Sequence, residues 1–128
     1  MMELCEPAKK ILIADDNQDS RELIIKILKK DGYRIIEAVD GEDAYNKIKA
    51  EKPQMVLLDM SMPKINGYEL AHMIKGSADV KDTLIVAVTA HAMKGDKDAA
   101  LAAGCVGYIT KPINVREFHN QIRQFFTS

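Results

Sequence analysis

Cysteine is scarce in this chain. Cys5 and Cys105 stand a hundred residues apart among 128, too few to form a disulfide framework or a thiolate metal cluster, and a reducing cytoplasm is the expected setting. Long apolar runs are missing as well. Stretches such as 84–88 fall far short of the roughly 20 residues a membrane-spanning helix needs, and the opening MMELCEPAKK has no apolar core of the kind a secretory signal carries. An excess of either charge is also absent. Eighteen Lys and Arg stand against 19 Asp and Glu, and the net charge of −1 argues against a generic polyanion binder or a polybasic membrane anchor. There is no low-complexity tract, no linker and no repeat longer than a strand–helix unit. What is present is 47% apolar and 29% charged residues, the profile of one soluble globular domain whose core needs no covalent staple.

From residue 10 onward, short apolar segments alternate with stretches of helical periodicity, five times over, a rhythm that implies a parallel sheet. Strands are expected at 10–14 (KILIA), 34–38 (RIIEA), 54–58 (QMVLL), 83–88 (TLIVAV) and 106–110 (VGYIT). The first, third and fourth are almost wholly aliphatic and read as central. Arg34 and Glu37 dilute the second, which is placed at an edge. Leu23, Ile24, Ile27 and Leu28 predict a helix over 18–30 ended by Gly32. A second helix follows Asp40 with Ala44, Tyr45 and Ile48 on its apolar side, and a third follows Asn66 with Tyr68, Leu70, Met73 and Ile74. The fourth, about 94–103 and ended by Gly104, has only Met93 and Leu101 as large anchors and is expected to be the least firmly docked. The fifth opens with Asn114 and Glu117 as a capping pair and buries Phe118, Ile122 and Phe125. Residues 1–9 are expected to form a flexible tail, and the domain to occupy 10–128.

In an open parallel sheet, ligands bind outside the carboxyl ends of the strands. Those ends carry Asp15-Asp16-Asn17, Asp59, Thr89 and Lys111-Pro112, while the second strand runs into Val39-Asp40-Gly41-Glu42, an ordinary helix start. Taken singly, most have a structural explanation: Asp16 or Asn17 as a helix N-cap, Thr89 as a strand-tip residue, Lys111 as a surface lysine at a turn. Asp59 is different, because it follows four apolar residues at a point where a lone carboxylate would be desolvated and in need of a partner. If the first and third strands are neighbours, Asp15, Asp16 and Asp59 converge, and three carboxylates at close range repel one another. Hard oxygens with open positions suit Mg²⁺, or Mn²⁺ in its place, better than Ca²⁺. Thr89 and Lys111 add a hydroxyl donor and a positive charge for phosphoryl oxygens, and a carboxylate can serve as nucleophile. The chemistry indicated is phosphoryl transfer.

The segments ILIADDN (11–17), VLLDMSMPKINGYEL (56–70), VAVTAHAMKGD (86–96) and GYITKPI (107–113) resemble the receiver domains of two-component response regulators, most closely single-domain regulators of the DivK type. The resemblance covers nearly the whole chain. It implies a flavodoxin-like, CheY-like α/β fold, a (βα)5 three-layer sandwich with a five-stranded parallel sheet in the order 2-1-3-4-5. It also implies that Asp59 is the phosphoacceptor, Asp16 a direct metal ligand, Asp15 its water-mediated or orienting partner, and the Ser61 backbone carbonyl the third protein ligand. Thr89 and Lys111 match the switch hydroxyl and its lysine, Tyr108 the aromatic switch position, and Lys111-Pro112 a bond that is cis in the family. Ser61 and His91 fall at positions that vary among receivers. The implied cofactor is Mg²⁺. The implied partners are a sensor histidine kinase or histidine phosphotransfer protein and a downstream protein on the helix 4, strand 5, helix 5 face, with no DNA-binding domain, no membrane contact, and a monomer or weak dimer in the cytoplasm. The chain would catalyse only its own phosphorylation and dephosphorylation. A relay intermediate, or the receiver module of a hybrid histidine kinase, is the alternative within the family.

Two other classes share parts of this pattern. A flavodoxin-like FMN carrier has the topology but needs a Ser/Thr/Gly-rich phosphate loop after the first strand, where Asp15-Asp16 would repel the flavin phosphate. A phosphatase of the haloacid dehalogenase type also uses a strand-end Asp but asks for a second Asp two residues on, where this chain has Ser61. A third reading, a receiver fold serving as a constitutive scaffold, leaves the acidic, Thr and Lys set without a purpose. Of the single residues, His72, His91 and His119 are expected to be solvated, Cys105 to pack at the entry to the fifth strand, and Met60 and Met62 to serve packing.

Overall fold

The computed structural model describes residues 9–60, 62, 65–90 and 94–127, with the side chains of 94–96 and 127 outside that description. Ten elements alternate: β1 Lys10–Ala14, α1 Gln18–Lys30, β2 Arg34–Ala38, α2 Gly41–Glu51, β3 Met55–Asp59, α3 Gly67–Lys75, β4 Leu84–Thr89, α4 Lys94–Ala102, β5 Gly107–Thr110 and α5 Val115–Thr127. All strand pairs are parallel, in the order β2-β1-β3-β4-β5. This is the flavodoxin-like, five-stranded fold, with the diluted second strand at an edge.

Strand alternation divides the core in two. Ile11, Ile13, Met55, Leu57, Val86, Val88 and Ile109 point to one face, where Ile24, Ile27 and Leu28 of α1 and Phe118 and Ile122 of α5 cover them. Leu12, Ala14, Val56, Leu58, Ile85 and Ala87 point to the other, under α2, α3 and α4. Both faces of β1, β3 and β4 are therefore buried, which is why these strands read as continuous aliphatic runs.

Polar residues set the helix starts. Asn17, Asp40 and Asn66 each accept the backbone N–H three residues on, and Asn66 with Glu69 completes a capping box. Asn114 does the same for Glu117 at the head of α5. Gly32 and Gly104 follow α1 and α4 at φ of 88° and 108°, a backbone region that disfavours any Cβ.

Two apolar assignments are corrected. Leu23 belongs to the periodic stripe of α1 but is 41% exposed, because the stripe that meets the sheet is centred on Ile24, Ile27 and Leu28. In α4 the large anchor Leu101 is also exposed, and among the described residues Ala100 and, just past the helix, Ala103 join the core instead. Met93, the other expected anchor, lies outside the described residues, as do Ser61, His91, Cys5 and the rest of the 1–8 segment. Among the described residues, no helix is long and apolar enough to cross a membrane.

Candidate functional site

Parallel pairing brings the polar strand ends to one rim. Ala14 is level with Leu58 and Asp59 with Val88, so Asp15, one residue beyond β1, stands beside Asp59 at the end of β3. Thr89 pairs with Thr110, and the Lys111 N–H donates to the Thr89 carbonyl at 2.7 Å. Asp59 and Thr89 are thus the last ladder residues of their strands rather than the first loop residues, because their backbones still pair.

Asp15, Asp16 and Asp59 each present a carboxylate oxygen within 4.8 Å of the other two. They are the one such acidic group among the described residues. Asp15 and Asp59 are buried, at 2% and 6% exposure, as is Thr89, whereas Asp16 is open to solvent. Asn17, and not Asp16, caps α1, which leaves the Asp16 carboxylate to the cluster. Lys111 reaches in from the far side, its ammonium 2.9 Å from Asp15 Oδ2 and 3.7 Å from Asp59 Oδ2. Asp15 also accepts the Asn17 N–H on Oδ1 at 2.8 Å. Burial pushes the Asp15 carboxyl above its usual range, and the Asp59 charge adds to this, against the Asn17 and Lys111 hydrogen bonds that pull it down.

One ammonium faces three carboxylates, all of them hard oxygen donors, and the most exposed of the three leaves the cluster open on the solvent side. This donor set fits Mg²⁺. Tyr108 lies half-buried on β5 two residues before Thr110, packed against the face that carries α2, α3 and α4. The Lys111-Pro112 bond is cis. Met60 and Met62 are buried packing residues, and Cys105 is buried at the entry to β5, where desolvation pushes its thiol up to about 11. His119 is not simply solvated: its Nδ1 lies 2.6 Å from Asp31 Oδ2, tying α5 to the end of α1.

Two residues of this region went unnoticed in the sequence. Gly67 opens α3 against the loop after Asp59, and a Cβ there would sit 2.6 Å from Met60 Cα and 3.1 Å from the Asp59 carbonyl oxygen. Arg21 runs from α1 to the β1 end, where its Nη1 donates to the Asp15 carbonyl at 2.7 Å and its Nε lies 3.3 Å from Glu37. The available signal was its spacing: with Ile24 and Leu28 it stands at i, i+3 and i+7, a cation on the buried side of α1.

Known proteins resemble this chain along most of its length. The family model described as "Response regulator receiver domain" matches residues 11–123. The polar-differentiation response regulator DivK of Brucella anthropi is 31% identical over 117 residues, covering 91% of this chain and 95% of that protein, and the DivK of Brucella ovis gives the same figures. Among solved structures, a response regulator described as putative from Chloroflexus aurantiacus superimposes with a TM-score of 0.91 at 26% identity, covering 95% of this chain and all of that one. The receiver domain of sensor histidine kinase PA1611 from Pseudomonas aeruginosa, whose structure has a magnesium ion coordinated in the active site cleft, does so with 0.87 at 27% identity, covering 95% of this chain and all of that one. Matched along most of its length by the family model, and carrying the acidic pocket and lysine at the strand ends, this chain belongs to the response regulator receiver domain family of two-component signalling proteins.

Proposed function

We propose that the chain is a phosphorylation-switched signalling protein in which Asp59 accepts a phosphoryl group from the phosphohistidine of a sensor histidine kinase or histidine phosphotransfer protein. The observation that carries this is the convergence of Asp15, Asp16 and Asp59 within 4.8 Å around a single lysine. An Asp59 oxygen bonds to phosphorus as the N–P bond breaks, and the bonding pair returns to the imidazole nitrogen of the donor. Asp16, Asp59 and the Ser61 backbone carbonyl would hold Mg²⁺, with Asp15 orienting it, and the bound ion would supply positive charge to neutralise the transferring group; Mn²⁺ would serve in its place. Lys111 leaves Asp15 to pair with the new phosphoryl oxygens, and the Thr89 hydroxyl donates to them. The product adds roughly −1.5 to −2 charge to an already acidic pocket.

Tyr108 follows Thr89 and carries the change to the surface built from α4, β5 and α5. Among the described residues, Ala100 and Ala103 are what join the α4 segment to the core, small side chains that suit a movable element. Output is then the binding of another protein at that face. The match to DivK over 95% of that protein's length favours a regulator acting as a lone receiver, monomeric or weakly dimeric. The buried, unpaired Cys105 suits the reducing cytoplasm. Self-phosphorylation and self-dephosphorylation are its only catalysis. The PA1611 receiver favours a second reading, a module or relay of a hybrid kinase system. Incubated with Mg²⁺ and acetyl phosphate, the chain gains the mass of one phosphoryl group and the Asp59→Asn variant gains none; an equal gain in the variant refutes the assignment.

A further inference from the structure

We propose that Arg21 is a positioning residue for the cation site, acting through the peptide bond between Asp15 and Asp16. This rests on the reading of the acidic cluster as a Mg²⁺ site. The Arg21 side chain is only 12% exposed, although it carries a charge, and its shortest contact is with a backbone oxygen rather than with its acidic neighbour: 2.7 Å to the Asp15 carbonyl against 3.3 Å to Glu37. A peptide unit is planar, so holding its oxygen also fixes its N–H and the next Cα. The unit held here is the one that delivers Asp16.

Asp15 is already constrained elsewhere. Its N–H donates to the Ala38 carbonyl at 3.2 Å, and its carboxylate is occupied by the Asn17 N–H and Lys111. Among the described residues, Asp16 has no such support. It is exposed, and among the three carboxylates its direction depends most on the backbone that precedes it. Arg21 supplies that control from a rigid base, since its own N–H donates to the Asn17 carbonyl in the first turn of α1. The guanidinium, the turn and the β1 end form one closed loop of residues 15–21. Glu37, 53% exposed on edge strand β2, steadies the guanidinium from its outer side.

Position and charge predict opposite signs. Deleting a cation near an acidic site strengthens the binding of another cation by Coulomb's law alone. Deleting a residue that orients a ligand weakens it, by 10–100-fold at typical supporting positions. Titration of the unphosphorylated protein with Mg²⁺ by calorimetry separates the two. Arg21→Gln is expected to weaken Mg²⁺ binding about tenfold. Arg21→Lys, which keeps a cationic donor but loses the fork, recovers part of the loss. Glu37→Gln leaves the affinity at the parent value. Arg21→Gln binding Mg²⁺ as tightly as the parent or tighter overturns the proposal, as does Glu37→Gln reproducing the loss. If Arg21→Gln does not fold, Arg21→Lys decides, and parental affinity there overturns it. Failure of the parent protein to bind Mg²⁺ overturns the cation-site reading itself, and this inference with it.

Discussion

Replacing Asp15 by Asn should make the metal-free protein more stable, although it removes a group from an ion pair. At an effective dielectric of about 20, the Asp59 carboxylate within 4.8 Å repels an ionised Asp15 by about 3.5 kcal/mol, while the charge of the exposed Asp16 is largely screened by solvent. Lys111 at 2.9 Å returns about 5.7 kcal/mol on the same scale. An attraction of about 2 kcal/mol remains, and the burial of a carboxylate that is 2% exposed outweighs it, which is why the carboxyl is raised. Asn keeps an acceptor for the Asn17 N–H and for Lys111, and Lys111 keeps Asp59. The expected gain in urea unfolding at pH 7 in EDTA is about 1–2 kcal/mol, or roughly 3–8 °C in Tm.

The pH dependence follows from the raised Asp15 carboxyl, whose cause is first desolvation. A carboxyl raised in the folded state holds its proton more tightly there than in the unfolded chain. The stability this contributes is complete below the usual value of 3.8 and is lost as pH rises through the folded value. The advantage of the Asn variant is therefore largest at neutral pH and fades on acidification. Mg²⁺ should narrow it too, since binding at one hundred times Kd stabilises the parent by about 2.7 kcal/mol. A variant less stable than the parent at pH 7 in EDTA, or an advantage that grows as pH falls, refutes the reasoning.

Gly67→Ala forces a methyl group against the Met60 backbone, and the loop after Asp59 must shift. It should cost about 1–3 kcal/mol in chemical denaturation and slow phosphorylation of Asp59; unchanged values for both count against the close approach. In a Cys5→Ser background, Cys105, buried and with its thiol raised to about 11, should resist thiol reagents at pH 8 until the protein is unfolded. Rapid modification of the native protein would contradict this.

The strands were legible as short, continuous aliphatic runs because both faces of the central sheet are buried, and the helices by the 3.6 period of their apolar residues. The site was legible because parallel strands all end at one rim, so chemistry scattered over 96 residues from Asp15 to Lys111 could be gathered from strand ends alone. What stayed hidden depends on distances between elements. Leu101 and Ala100 are neighbours on α4, and only the closeness of the helix to the sheet decides that the smaller one is buried. Leu23 fails for a related reason: a stripe four residues wide does not say which edge faces outward. The His119–Asp31 contact joins positions 88 apart with no periodic signal. Arg21 was visible as a charge on an apolar face, but its target, a backbone oxygen, has no letter in the sequence.

Three of the bonds that hold Asp15 have a mechanical consequence. Its backbone N–H is tied to β2, its carbonyl to Arg21 of α1 and its Oδ1 to the Asn17 N–H, and these bonds do not depend on Lys111, which makes the β1 side of the pocket a stiff wall. On the opposite side, among the described residues, the methyl groups of Ala100 and Ala103 at the end of α4 are what join it to the core. A load applied between two supports of unequal stiffness displaces the weaker one. If Asp59 is phosphorylated as proposed, the added group would push toward β4, α4 and β5 while α1 stays in place, and the direction of the signal would be set by how firmly the other side is held.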